Sequence, residues 1–243
     1  YWNRYPGLNC DVESYIYMPL LEECGQMPSQ KYADGDEIFR HAKTIGRHFD
    51  LYGCACFQTT IHSIIWDEKQ QCWLVETNRG DRMRATFVIS GTGPMSKPVL
   101  PAIPGIESFQ GKSFHAARWD YEYTGGDIHG HLSKLEDKRI AVIGSAATAV
   151  QCIPHLAESA RQLYVFQRTP VICDVRNQKE TDAQWWQSLQ PGWQAERMRN
   201  FDSIIAGLDQ EQDLVADSWT DVWRNLAVWS KDNIGSDPEE KER

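Results

Sequence analysis

An α/β fold is what this sequence predicts, and three observations carry the reading. Residues 138–166 run as a short apolar strand, a glycine turn, a helical stretch and a second apolar strand. Residues 57–90 hold three runs rich in β-branched and aromatic residues, separated by turn-prone polar ones. Beyond residue 183, helix formers are interspersed with Trp185, Trp186, Trp193, Trp219, Trp223 and Trp229. The first pattern belongs to a parallel sheet with a helical crossover, the second to an antiparallel meander and the third to packed helices. At 243 residues and 41% hydrophobic content, the chain is long enough for a buried core.

Taken in order, the elements have local reasons. Asp34-Gly35-Asp36-Glu37 starts the first long helix: Asp34 is the N-cap, Glu37 follows three residues on, and Ile38, Ala42, Ile45 and Phe49 recur at helical spacing. One buried face is expected there. The strands are read at 57–66, 72–77 and 84–90, broken by Asp67-Glu68-Lys69-Gln70-Gln71 and Asn78-Arg79-Gly80-Asp81, as a meander with a return strand. Gly91-Thr92-Gly93-Pro94 ends the last strand, where glycine permits close backbone approach to a ligand. Pro98, Pro101 and Pro104 stiffen a connector over 97–107, and Gly125, Gly126 and Gly130 make 121–136 a looser one. A domain boundary therefore falls between Pro94 and Glu136, with segments 1–96, 97–136 and 137–243.

Lys138 to Ile143 enter Gly144-Ser145-Ala146-Ala147-Thr148-Ala149, after which Val150 to Glu158 read as helix despite Pro154, and Leu163 to Phe166 as the next strand. Strand, glycine turn, helix and strand is the order of a dinucleotide-binding unit. The first glycine of that motif is present. Ala146 puts a methyl group where a pyrophosphate approaches, and Ala149 stands in for the third glycine. Arg168-Thr169 lie at the tip of the second strand, where a carboxylate would bind the ribose of NAD. An arginine there instead offers a planar charged fork to a 2′-phosphate, so NADPH is expected rather than NADH.

A net charge of −9 and a pI near 5.3 argue against a nucleic-acid or anionic-membrane partner. Seven cysteines, an odd number without CxxC spacing, suggest neither a disulfide framework nor a metal site. Cys54-Ala55-Cys56 is read as a pair of buried small residues. Reduced thiols point to the cytoplasm, and no apolar run is long enough for a transmembrane helix. The chain opens on Tyr rather than Met, which is read as a missing N-terminus with its targeting signals unrepresented. Nothing in the sequence specifies an oligomeric state.

The segment Phe109-Gln110-Gly111-Lys112-Ser113-Phe114-His115-Ala116-Ala117-Arg118-Trp119-Asp120 reads FxGxxxHxxxWD. It resembles the fingerprint of Baeyer–Villiger monooxygenases, which use FAD and NADPH to insert oxygen beside a ketone. The first residues, Tyr1 to Tyr17, are similar to that family's YWNRYPGxxCDVESxxY segment, and Arg168-Thr169-Pro170 also stands as the family has it. Tyr15 to Glu23 look closest to fungal members that oxidise polyketide and terpenoid intermediates.

The resemblance implies an FAD/NAD(P)-binding, Rossmann-like two-domain flavoprotein fold, incomplete here. Residues 1–96 would be part of the FAD domain, 97–136 a hinge carrying Phe109, Gly111, His115, Trp119 and Asp120, and 137–243 part of the NADP domain with a helical insertion. It places Tyr1, Trp2, Asp11 and Tyr17 on FAD. It places Asn9, Cys10 and Asp11 near NADP, together with Gly144, Ser145, Ala146, Ala147, Thr148, Ala149, Val150, Arg168 and Thr169. The implied reaction takes a ketone and molecular oxygen to an ester or lactone. The family's catalytic arginine and its first GxGxxG loop match nothing in this sequence, so no residue here is assigned catalysis. The alternatives are a non-catalytic remnant that binds nucleotide or a partner, and a nitrogen- or sulfur-oxidising flavin monooxygenase.

Overall fold

A computed structural model describes residues 2–93, 97–171, 173 and 175–233, the last seven of these as backbone only. Tyr1, Pro94, the side chain of Trp229 and the tail from Asp237 lie outside the described residues. The chain forms two compact units, Gly46–Lys112 and Tyr1–Ile45 with Ser113–Arg243.

Short helices α1 (Ser14–Tyr17) and α2 (Leu21–Cys24) precede α3 (Gly35–His48). Asp34 caps α3 as its sequence predicts, its Oδ1 accepting the Glu37 amide at 2.7 Å. Glu37 does not close the box back onto Asp34. Its carboxylate accepts the Ser29 amide and hydroxyl instead, at 2.7 and 2.6 Å. The expected apolar face is also narrower than its spacing suggests: Ile38 and Ile45 are half-buried, Ala42 and Phe49 are exposed, and the buried residue is His41. Ile38 packs on the cluster of Cys10, Met18, Leu21, Tyr32 and Ala33, which needs only one turn of the helix.

The unit Gly46–Lys112 holds the meander β1 (Ile61–Asp67), β2 (Cys72–Thr77) and β3 (Arg82–Ala85), antiparallel in that order. Asp67 makes the first turn by accepting the Lys69 and Gln70 amides, and Trp66 opposite Trp73 fixes the register with rings 5.3 Å apart. The first strand starts later than expected and the third stops at Ala85. Residues 86–90 form no return strand and pair with no described strand; Phe87 is 84% and Ile89 94% exposed. Cys54 and Cys56 are exposed rather than buried, a correction that follows from their place at the end of a short 3₁₀ turn outside the sheet.

In the other unit, α4 (Tyr121–Thr124) opens a stretch expected to be loose and found to be packed. Leu132 and Leu135 are fully buried with Tyr5, Cys152 and Leu156. The glycines here tighten the chain: Gly126 has φ +72°, its side-chain position runs into the Gly130 carbonyl, and Asp127 and Gly130 exchange two backbone hydrogen bonds of 3.0 Å.

β4 (Arg139–Ile143) and β5 (Gln162–Phe166) pair in parallel, joined by α5 (Ala147–Ser159), which continues through Pro154. After them come α6 (Ala183–Ser188), α7 (Trp193–Ile205) and α8 (Ser218–Asn233). The α7 helix is fastened to the N-terminal segment. Gln194 accepts the Leu21 amide at 2.8 Å and donates to the carbonyls of Tyr15 and Met18 at 3.0 and 2.7 Å. Glu22 caps α7 through the amides of Gly192 and Gln194. The described residues thus form a mixed α/β structure with an antiparallel meander and a helical C-terminal part, as the sequence predicts.

Gly7 makes a tight junction with α5 in this unit. It has φ +79°, its amide donates to Ile128 O at 2.7 Å, and a Cβ would sit 2.5 Å from Gln151 O and 2.7 Å from His155 Nε2. Left-handed strain and overpacking each cost on the order of 1–3 kcal/mol. Gly7→Ala is therefore expected to lower unfolding free energy by about 3 kcal/mol, read as a lower urea midpoint at unchanged slope. An unchanged midpoint would mean that α5 can part from the turn without loss.

Candidate functional site

The parallel register sets Ile143 opposite Phe166, so the carboxyl ends of β4 and β5 open at one sheet edge. Gly144 turns the chain there at φ +103°, donating its amide to Phe166 O at 2.8 Å, with open space where a side chain would stand. Ala146 is the extended N-cap of α5 and supplies no side-chain acceptor. The amides of Ala147, Thr148 and Ala149 therefore begin a thirteen-residue helix without intrahelical partners, and no carboxylate lies in the first turn. Such a terminus carries positive potential and suits a phosphate. Ala149 is buried, as close packing at the third motif position requires, while Ser145 and Thr148 are half-buried and Val150 is exposed. Arg168 and Thr169 are exposed just beyond β5.

The N-terminal segment is tied to that helix. Tyr5 donates its hydroxyl to Gln151 Oε1 at 2.9 Å, and Gln151 Nε2 donates to Asn9 O at 3.0 Å. Burial raises the Tyr5 hydroxyl above the usual tyrosine range, so it stays a donor. Asn9 also donates to Tyr32 O at 2.9 Å. Cys10 is buried 3.5 Å from Ser14 Oγ, and burial pushes its thiol up. Asp11 pairs with Arg176, whose guanidinium also donates to Asp11 O at 2.7 Å and Cys10 O at 3.2 Å. The structure thus brings Asn9, Cys10 and Asp11 into one hydrogen-bonded assembly with α5. Trp2 and Tyr17 are exposed, 58% and 51%, with the Arg118 guanidinium 3.9 Å over the Trp2 ring.

The fingerprint residues divide between the units. Phe109 and Gly111 fall in Gly46–Lys112, where the Phe109 ring fills the space a side chain on Gly111 would need. His115, Trp119 and Asp120 belong to the other unit and organise their own stretch. His115 Nδ1 accepts the Ala117 amide at 3.1 Å, Trp119 Nε1 donates to Thr124 Oγ1 at 3.2 Å with Phe114 edge-on to its ring, and Asp120 caps α4 through the Tyr123 amide.

Two contributors escape the sequence reading. Gln151 is a polar residue on a helix whose neighbours Ala149, Cys152 and Leu156 are buried, and that mismatch is a signal for it. Arg176 carries no motif signal: it meets Asp11 across 165 residues. Among the described residues no helix is long and apolar enough to cross a membrane.

Residues 16–181 match the model of the family described as flavin-binding monooxygenase-like. Neopentalenolactone D synthase of Streptomyces avermitilis is 56% identical over 99% of this chain and 41% of its own length. A Baeyer-Villiger monooxygenase of Stachybotrys chlorohalonatus is 55% identical over 94% of this chain and 36% of its own. Among solved structures, the polycyclic ketone monooxygenase of the thermophilic fungus Thermothelomyces thermophila aligns with a TM-score of 0.83 at 44% identity, over 90% of this chain and 37% of that one. OTEMO in complex with FAD and NADP aligns at 0.69 with 32% identity, over 84% and 38%. The chain spans about two fifths of the length of the curated relatives it matches.

Proposed function

This chain belongs to the flavin-binding monooxygenase-like family, and from that premise we propose that its protein is an FAD- and NADPH-dependent monooxygenase of Baeyer–Villiger type, converting a ketone and oxygen to an ester or lactone. The single observation that carries the nucleotide half of this reading is the uncapped N-terminus of α5 facing the Gly144 turn, with Arg168 beyond the adjacent strand. That donor set suits NADPH, with the amides of Ala147 to Ala149 toward the diphosphate and Arg168-Thr169 toward the 2′-phosphate. Ser145, Ala146 and Val150 line the same turn. For FAD, the part-exposed side chains of Trp2, with Arg118 over its ring, and Tyr17, and the carboxylate of Asp11 held by Arg176 are the groups put forward, joined in the proposal by Tyr1.

Bound FAD supplies the oxygen chemistry. The chain's own work is to bind the two nucleotides and keep Asn9, Cys10 and Asp11 against the nucleotide helix, through the Tyr5–Gln151–Asn9 relay. The division 1–96, 97–136 and 137–243 is kept as a division by ligand, with His115, Trp119 and Asp120 shaping the connection alongside Phe109 and Gly111. A cyclic or polycyclic ketone of terpenoid or polyketide metabolism is the proposed substrate, in a fungal producer, and the cytoplasm is the proposed compartment.

The test uses the full-length protein. Purified enzyme should carry a flavin spectrum and oxidise NADPH faster in the presence of a polycyclic ketone, giving a product one oxygen heavier, with that atom from ¹⁸O₂. Oxygen appearing on an amine or sulfide while ketones stay unchanged would move the protein to the nitrogen- or sulfur-oxidising class.

A further inference from the structure

The arm that leaves β5 past Arg168 returns along the N-terminal segment. Lys31 N donates to Lys179 O at 2.9 Å, Thr181 N to Ser29 O at 2.9 Å, and the Gln178 amide brackets Tyr32 by accepting its N–H and donating to its carbonyl. Tyr15 and Thr181 join hydroxyl to hydroxyl at 2.9 Å. The arm is thus tied to this segment by backbone pairing and Gln178 as well as by Arg176. Arg176 stands at the near end of this ladder and points elsewhere, to the carboxylate and carbonyl of Asp11 and the carbonyl of Cys10, with its guanidinium 5.2 Å from the Tyr32 ring centroid.

We propose that Arg176 is a positioning residue for Asp11, fixing the segment Asn9–Asp11 and the direction of its carboxylate for the cofactors. A planar fork meeting three oxygens at once restrains a carboxylate more strongly than one point charge can. The same segment is also held by Gln151 on α5, which donates to Asn9 O. Arg176 and Arg168 also share one arm, so the residue proposed to hold the 2′-phosphate and the residue that orients Asp11 are covalently close. The inference rests on the proposed function for its catalytic consequence, and on the hydrogen bonds alone for its structural one.

The experiment is a double-mutant cycle in the full-length protein with Arg176→Gln, Asp11→Asn and the pair, plus Arg176→Lys. Backbone hydrogen exchange is followed by mass spectrometry without NADPH. In Arg176→Gln, exchange should rise about tenfold or more in 9–12 while 28–32 and 176–181 keep wild-type protection, and Arg176→Lys should fall between. Equal loosening of all three stretches would make Arg176 an anchor of the arm and overturn the proposal. Bleaching of the flavin by NADPH is the second measurement. Arg176→Gln should slow it about tenfold in the wild-type background and less than twofold beside Asp11→Asn, since a residue acting through Asp11 has nothing left to orient. Equal slowing in both backgrounds also overturns it. A wild-type protein without flavin, or one that NADPH does not reduce, would refute the proposed function, and the exchange pattern would still decide the role of Arg176.

Discussion

Arg197→Met is expected to destabilise the protein by roughly 3–5 kcal/mol, the cost of leaving one member of a buried ion pair alone. Glu13 is fully buried in this structure, and its carboxylate takes the Nε and Nη2 hydrogens of Arg197, whose own side chain is 15% exposed. The same guanidinium lies 5.6 Å from the Tyr15 ring and 5.4 Å from that of Trp185, and Trp185 packs edge-on to Trp193. Removing it takes away the pair and part of the aromatic packing that fixes α7 to the N-terminal segment.

The variant should also change how stability depends on pH. Burial already pushes the Glu13 carboxyl above the usual carboxylate range, with Arg197 pulling the other way. For an acid raised in the folded state, the native protein holds the proton to higher pH than the unfolded chain does. Stability associated with that proton is present below the unfolded value and is lost as pH rises through the folded one. Without Arg197 the opposing pull is gone, so the loss should extend to higher pH, with a slope of up to about 1.4 kcal/mol per pH unit. Urea unfolding at a series of pH values measures it. Adding Glu13→Gln to Arg197→Met should recover part of the stability above neutral pH and flatten the slope, because the buried charge is removed as well. A double variant as unstable and as pH-dependent as the single one would show that the carboxylate is not the source.

How much of this was legible in the sequence follows from the range of each interaction. The α5 unit was legible because its signals are local: an apolar strand, one obligatory glycine at φ +103° and a run of small residues, all within a few turns. The meander was legible in its turns, since Asp67 acts on residues two and three positions away. Strand ends were not, because a strand stops where its partner stops, and residues 86–90 have no described partner. The stretch 121–136 looked loose from its glycines. Those glycines permit a tight reversal that carries Leu132 and Leu135 into the core, an outcome set by partners outside the stretch, Tyr5 near the start of the chain and Cys152 and Leu156 on α5. At the candidate site, Gly144 and Arg168 carry motif signals, whereas Arg176, Arg197 and Gln194 act on partners 165, 184 and 173 residues distant and leave no periodic mark.

Arg168→Ala is expected to raise the KM for NADPH by roughly 10- to 100-fold in the full-length enzyme, while the KM for NADH and the stability stay close to wild type. The magnitude is that of a charge-assisted hydrogen bond, about 1.5–3 kcal/mol. The selectivity follows from where Arg168 stands. It lies past the last residue of β5, exposed, and Thr169 beside it is also exposed, so its removal empties no core. The α5 amides act on the diphosphate that both coenzymes share and cannot distinguish them, whereas only NADPH presents the 2′-phosphate that Arg168 would meet. With uniform binding lost and chemistry untouched, kcat at saturating NADPH should hold while kcat/KM falls. Steady-state kinetics with both coenzymes, together with a thermal melt, give the answer. Equal loss with NADPH and NADH would mean that Arg168 supports the turn at Gly144 rather than the phosphate. A fall in kcat at unchanged KM would place it on the path of hydride transfer instead, because a residue that touches only the far end of the coenzyme has no reason to slow a bound one.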